Sequence, residues 1–226
     1  MPTIFVTGTD TEVGKTRISC GLLRQLRANG LKVCGYKPVA SGCETTPQGL
    51  RNEDALALQL AAQTSEDYGC INPYAFAPAI APHLAAKAVG VNINITLLNQ
   101  AHDELALSYD WVVTEGAGGF LVPLNDEITF GDWATQRGWP VMLVVGMRLG
   151  CINHALLSAE AIARRGLLAG WIANALSADM PQLQENIDTL KSRMPAPLLG
   201  LVNYGAEVRL DLETLQRRVT GSPVSP

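Results

Sequence analysis

Apolar residues along this chain follow two rhythms. Short runs rich in Val, Ile and Leu recur at 3–7, 32–37, 111–114, 141–145, 168–173 and 198–202. Between them, apolar positions return every three or four residues over longer stretches. The first rhythm predicts strands, several apolar throughout, as strands covered on both faces must be; the second predicts helices. Helices are expected after Gly14, over about 52–63, within 96–107, over about 153–164 and over about 181–193. The stretch 65–91 contains Pro73, Pro78, Pro82 and many alanines, and reads as an irregular excursion. Strand–helix alternation of this kind predicts an α/β fold: a mainly parallel sheet with helices on both faces, in a single domain over 1–219. Residues 220–226, with Ser222, Pro223, Ser225 and Pro226, read as a flexible tail.

Composition narrows the function classes. A 226-residue chain with 47% hydrophobic and 17% charged residues can bury a sizeable core. Its net charge of -4 gives no general attraction to nucleic acid or anionic lipid. No apolar run approaches the ~20 residues that span a bilayer. The N-terminus runs straight into a strand, without the basic start and cleavage site of a signal peptide. Cys20, Cys34, Cys43, Cys70 and Cys151 show no C-x-x-C spacing and read as reduced thiols. A soluble cytoplasmic protein with small-molecule partners is therefore expected, using neither nucleic acid nor membrane.

The segment Gly8-Thr9-Asp10-Thr11-Glu12-Val13-Gly14-Lys15-Thr16 leaves the first predicted strand and opens the first predicted helix. A phosphate-binding loop sits in that setting. Its backbone N–H groups and the helix dipole attract phosphate oxygens, Lys15 reaches the outer phosphates, and Thr16 can hold Mg²⁺. The usual G-x-x-x-x-G-K-T spacing puts its first glycine at position 9, which is Thr9 here, one residue after Gly8.

Other candidates lie at the ends of later strands. Glu115 begins Glu115-Gly116-Ala117-Gly118-Gly119 at the carboxyl end of the third strand, where open α/β sheets hold ligands, and a carboxylate there suits Mg²⁺. Asp54 by itself reads equally well as part of an acidic first helical turn, Glu53-Asp54. Lys37, Pro38 and Ser41 emerge past the second strand at the same sheet edge as the loop; Lys37 is either a solvated lysine or positive charge placed where an anionic intermediate forms. Gly150, Cys151, Ile152 and Asn153 open a helix whose bare N–H groups await a carboxylate or phosphate, or a cap from Asn153. His83, His102 and His154 have no metal-ligand spacing. Cys151 reads as a packing residue rather than a nucleophile, and Trp111, Trp133, Trp139 and Trp171 as core or interface.

The segments GTDTEVGKT, GYKPVASG, GLRNEDALALQ, INPYAF, EGAGG, PVMLVVG, LGCINHALL, AGWIAN and PAPLLG, in this order from about residue 5 to residue 200, resemble dethiobiotin synthetase. The resemblance implies a P-loop fold of about seven mainly parallel strands and a homodimer with a shared active site. It implies conversion of 7,8-diaminononanoate, CO₂ and ATP, with Mg²⁺, into dethiobiotin, ADP and phosphate. On the matching positions, Glu12, Val13, Gly14, Lys15, Thr16 and Arg17 resemble the nucleotide-binding loop, and Thr16, Asp54 and Glu115 the magnesium set. Lys37 resembles the catalytic lysine, beside which Lys15 of the loop is expected to act in catalysis, and Thr11 and Ser41 resemble substrate contacts. Gly150, Cys151, Ile152 and Asn153 resemble the helix start that takes the substrate carboxylate from the neighbouring subunit. Asn174 corresponds to an adenine-reading amide, and Gly116, Ala117, Gly118, Asn203, Tyr204 and Gly205 complete the implied nucleotide contacts. The resemblance is weakest on the base side, where Ala175 stands for a frequent Asp and Asn203-Tyr204 for a Pro-aromatic pair.

Three other readings use the same loop. A partition-type P-loop ATPase carries an extra signature lysine where this chain has Asp10. A cobyrinic-acid-type amidoligase needs a glutaminase domain for which these residues leave no room. A nucleotide-binding paralogue without turnover is the third.

Overall fold

The computed structural model describes residues 1–221. Strand β1 (Thr3–Gly8) feeds helix α1 (Lys15–Ala28), which returns to β2 (Val33–Tyr36). Small elements follow: β3 (Val39–Ser41), the hairpin β4 (Glu44–Thr46) and β5 (Gly49–Arg51), α2 (Glu53–Ala62), α3 (Tyr68–Ile71), β6 (Tyr74–Phe76) and α4 (Pro82–Ala88). Next come α5 (Ile95–Ser108), β7 (Trp111–Gly119), α6 (Phe130–Arg137) and β8 (Val141–Met147). The described chain ends through α7 (Cys151–Ala163), β9 (Leu168–Ala175), α8 (Leu183–Arg193), β10 (Leu198–Val202) and α9 (Leu212–Thr220).

The main sheet is parallel, in the order β10-β9-β8-β1-β7-β2. Among the described residues it has six strands, matching the six apolar runs and close to the about seven that the resemblance implies. Beyond Tyr36 the chain leaves the sheet: the Lys37 N–H donates to the Ile71 carbonyl, and Pro38 has no N–H to offer a ladder. β3 then pairs with β6, and β4 with β5, in two separate ribbons.

Alternation along the buried strands divides the interior in two. Phe5, Cys34, Tyr36, Val112, Leu143 and Val145 point to one face; Ile4, Val6, Val33, Val113, Met142 and Val144 point to the other. The first face is covered by residues such as Leu105, Trp133, Ala159 and Leu190 of α5, α6, α7 and α8. Leu22, Leu23, Leu26, Leu58 and Leu215 of α1, α2 and α9 cover the second. All four tryptophans are buried.

All six predicted strands form, and the five predicted helices form with ends shifted by a few residues. Stretch 65–91 is more ordered than expected, because α3, β6 and α4 lie within it. Pro82 accounts for α4: it occupies the first turn, where its missing N–H costs no helical bond. Helix α6 was not anticipated, yet it opens on a capping box in which Thr129 accepts from the Asp132 N–H at 3.1 Å and Asp132 accepts from the Thr129 N–H at 3.1 Å. Thr220, expected in a tail, is the last residue of α9; Gly221 caps that helix with φ 67°, and 222–226 lie outside the described residues. No helix among the described residues is long and apolar enough to cross a membrane. All five cysteines are free thiols.

Candidate active site

Three carboxyl ends of the sheet meet at one cleft. β1 ends at Gly8, and the loop through Gly14 turns into α1. Glu12, at φ 58°, is in the left-handed region, a conformation that L residues adopt at a cost and that clusters at functional loops. Gly14 is also left-handed, at φ 88°, and a Cβ there would stand 2.2 Å from the Asn174 Nδ2 atom, so only glycine fits. No side chain caps the helix start, leaving its first N–H groups to meet an anion.

Lys15 is buried and folds back over the loop, its Nζ donating to the Asp10 carbonyl at 2.8 Å. Burial, and then the positive charge of Lys37, push its pKa down to about 8.

The register of the sheet brings in the other charges. Tyr36 of β2 lies beside Thr114 of β7, so Lys37 and Glu115, each one residue further on, come together. Asp54 arrives from the first turn of α2, whose start is fixed by Asn52 accepting from the Ala55 N–H at 3.2 Å. The Lys37 ammonium donates to Glu115 Oε1 at 2.8 Å, Asp54 Oδ2 at 3.0 Å and the Gly116 carbonyl at 3.3 Å. Burial alone lowers the Lys37 pKa, but the two carboxylates outweigh it and hold the ammonium charged. For Asp54 burial works against ionisation; Lys37 and the Thr16 hydroxyl prevail, and its pKa falls. Thus Asp54 is not a solvated first-turn acid, nor Lys37 a solvated lysine.

This cluster contains an excess of oxygens. Thr16 Oγ1 lies 2.6 Å from Asp54 Oδ1 and 2.8 Å from Glu115 Oε1, although a hydroxyl has one proton to give. Glu115 Oε2 is fully buried without a hydrogen-bond partner. A hydroxyl and two carboxylates form the all-oxygen donor set that a hard divalent cation such as Mg²⁺ prefers, and the residues present fit one.

The cleft holds about 800 Å³ and is lined by Thr11, Lys15, Thr16, Lys37, Ser41 and Asp54 among others. Glu12, Gly14, Ala117 and Gly118 line it as well, and the Gly116 carbonyl accepts from the Lys37 ammonium. One wall, Ala79 to Pro82, was not anticipated; its only signal was the proline spacing in 73–82.

A second cluster lies on the other side of β1. Asn174, at the end of β9, is 2% exposed; its Nδ2 donates to the Val13 carbonyl at 2.9 Å and its Oδ1 accepts from Arg17 at 3.0 Å. Arg17 also donates to the carbonyls of Asn203, at 2.9 Å, and of Ala206. Asn203, Tyr204 and Gly205 are exposed in the loop after β10.

Comparison with known proteins decides the kinship. The AAA domain family matches residues 2–209. The chain is 56% identical over 204 residues to the ATP-dependent dethiobiotin synthetase BioD of Pseudomonas paraeruginosa (strain DSM 24068 / PA7), covering 89% of this chain and 90% of the relative. It is 50% identical over 204 residues to the ATP-dependent dethiobiotin synthetase BioD 1 of Escherichia coli (strain K12), covering 90% and 91%. The chain belongs to the dethiobiotin synthetase family.

More distant likenesses support the fold alone. Signal recognition particle 54 kDa protein from Aeropyrum pernix K1, solved in complex with GDP, superposes with a TM-score of 0.53 at 17% identity over 96% of this chain and 49% of that one. Signal recognition particle receptor FtsY from Elizabethkingia anophelis gives 0.51 at 15%, over 96% and 64%.

As a dethiobiotin synthetase family member, the chain gathers Thr11, Lys15, Thr16, Lys37, Ser41, Asp54 and Glu115 into one site. Gly150, Cys151, Ile152 and Asn153 are not in it. They begin α7 behind Gly150, at φ 93°, with no side-chain cap, so Asn153 lies in the first turn rather than capping it. Cys151 is a buried packing residue, as expected, and Leu149 beside it is fully exposed. Arg148, just before this helix, forms an unanticipated ion pair with Asp10 of the phosphate loop.

Proposed function

We propose that the protein is an ATP- and Mg²⁺-dependent dethiobiotin synthetase that closes a cyclic urea on 7,8-diaminononanoate with CO₂. The observation that carries this reading is two lysines and an uncapped phosphate-loop helix facing one cleft with Thr16 and Asp54, and with the buried Glu115 in contact with Thr16 and Lys37 behind them. The names of its relatives at 50–56% identity support the substrate assignment.

In the proposed sequence, a neutral amine of the diamine adds to the CO₂ carbon and loses a proton, giving a carbamate. A carbamate oxygen attacks the γ-phosphorus as the bond to the β-phosphate oxygen breaks, releasing ADP. The second amine adds to the carbon of the resulting carbamic–phosphoric anhydride. Phosphate leaves with the bonding pair and the former carbamate oxygen, and loss of a proton completes the five-membered ring. Lys15, the loop N–H groups and Lys37 stabilise negative charge on the carbamate and the transferring phosphoryl group. When bound, Mg²⁺ supplies further neutralisation of phosphate charge, held by Thr16, Asp54 and Glu115. Thr11 and Ser41, on the rim of the cleft, orient the diamine. Holding both amines beside one activated carbon makes closure intramolecular, an advantage that reaches roughly 7 kcal/mol or more.

The helix start at Gly150, Cys151, Ile152 and Asn153 lies outside its own chain's cleft, which supports a homodimer in which it receives the substrate carboxylate of the partner's site. Five free thiols and a net charge of -4 support a cytoplasmic enzyme with no nucleic-acid or membrane partner.

The test is a mass measurement on purified protein given ATP, Mg²⁺, [¹³C]bicarbonate and the diamine. A cyclic urea carrying the label, formed in step with ADP, supports the reading; ATP consumed without labelled product sinks it. Mixing two inactive variants, Lys15→Ala and one altered at Asn153, tests the shared site. Mixed dimers should regain activity; continued inactivity despite demonstrated subunit exchange would remove the partner from the site.

A further inference from the structure

Arg17 is the residue immediately after the Thr16 hydroxyl, and its side chain runs away from the charged cluster. Its guanidinium reaches Asn174 Oδ1 at 3.0 Å and the main-chain carbonyls of Asn203 and Ala206. Asn174 in turn holds the Val13 carbonyl at 2.9 Å, one residue before the glycine whose missing side chain lets that amide approach. One side chain therefore ties the first turn of α1, the end of β9 and the loop after β10 into a single body.

The sheet order says which end of a bound nucleotide this body meets. Lys37 and Glu115, at the ends of β2 and β7, lie to one side of β1, where the reaction proposed above puts the reactive phosphate. β9 and β10 lie on the opposite side of β1. A triphosphate stretched along the loop and first turn of α1, with its last phosphate at Lys37, carries its nucleoside toward Asn174 and the loop 203–206. Asn203, Tyr204, Gly205 and Ala206 are exposed and outside any helix or strand, so their order depends on what pins them.

We propose that Arg17 is a positioning residue for the nucleoside half of the substrate: it clamps the loop 203–206 onto Asn174 and builds the surface on which that half rests. This rests on the ATP-dependent reading above. Hydrogen bonds from a charged donor are roughly twice as strong as neutral ones, and a planar guanidinium serves several acceptors at once where an ammonium on a flexible stem does not.

The test compares two ligands in the presence of Mg²⁺: a non-hydrolysable ATP analogue and inorganic tripolyphosphate, which lacks the nucleoside. Calorimetry on wild-type protein, Arg17→Ala and Arg17→Lys gives the affinities, and turnover gives kcat and KM. In Arg17→Ala, affinity for the ATP analogue and KM for ATP should worsen about tenfold. Tripolyphosphate affinity and kcat should stay within about twofold, and Arg17→Lys should recover only part of the loss. Faster amide exchange confined to 203–206 in Arg17→Ala would support the clamp by a route that does not use the ligand. An equal loss for both ligands, or no loss for either, overturns it. Labelled product from the wild-type enzyme reads the ring-closing function separately, so the clamp can fail while that function stands.

Discussion

The two ends of the site are built in opposite ways. At the phosphate end Lys37, Thr16, Asp54 and Glu115 form a charged, mostly buried cluster with contacts of 2.6–3.0 Å, Lys37 and Glu115 being brought together by the register of β2 on β7. At the other end Arg17 and Asn174 hold an exposed loop by its carbonyls. On the proposed reaction, the contrast separates chemistry from affinity. Charge aimed by a rigid frame acts on the transition state, whereas contacts to a pinned loop act on ground-state binding.

If that division is right, substitutions at the two ends should separate in kinetics. Lys37→Ala has the largest expected effect. It should lower kcat by ~10²-fold or more with little change in KM for ATP, as removal of one electrostatic stabiliser does. Steady-state kinetics of the folded variant check this, and near-normal turnover would take Lys37 out of the mechanism. Glu115→Gln comes next: it keeps the shape but removes charge from the donor set, and the Mg²⁺ concentration for half-maximal activity should rise about tenfold or more. A magnesium titration with unchanged midpoint would move the cation away from Glu115.

Asn174→Ala should act at the other end, raising KM for ATP several-fold while kcat holds, because it frees the Val13 carbonyl and one arm of Arg17 together. A fall in kcat equal to that of Lys37→Ala would erase the contrast between the ends.

The smallest effect concerns protons. With its pKa near 8, Lys15 carries its charge below that pH and sheds it above. An anionic triphosphate favours the charged form, so binding at pH 8.5 should take up a fraction of a proton, and affinity should fall as the pH rises through about 8. Calorimetry in two buffers of different ionisation enthalpy measures the uptake, and its absence would mean that Lys15 is already fully charged.

The same contrast governs what the sequence reveals. Lys37 and Glu115 stand at the ends of apolar runs, and Lys15 opens the helix that follows the first run, so the sequence places all three at one sheet edge before any contact is known. Asp54 was ambiguous because a first helical turn attracts acids for its own sake; the Lys37 ammonium at 3.0 Å resolves it. Arg17 has no such signal for its role as a clamp. Its partners lie 157 to 189 positions away, two of them backbone carbonyls that carry no side-chain identity. The six apolar runs match the six strands of the main sheet, whereas periodicity could not see that beyond Tyr36 the chain leaves this sheet and pairs β3 with β6 in a separate ribbon. Helix α6 was overlooked although Thr129 and Asp132 spell out its capping box, because its short apolar pattern is broken by Gly131.

The most direct test follows oxygen. In the presence of ATP, Mg²⁺ and the diamine, [¹⁸O]bicarbonate supplies CO₂ whose two oxygens have different fates: one stays in the urea carbonyl, and the other, after attacking the γ-phosphorus, departs on phosphate. Mass analysis of the released phosphate should show a single ¹⁸O, and Lys37→Ala should slow its appearance in step with product. Phosphate free of label beside labelled dethiobiotin would mean that no bond forms between carbamate and phosphorus, and would contradict the chemistry assigned to this cleft.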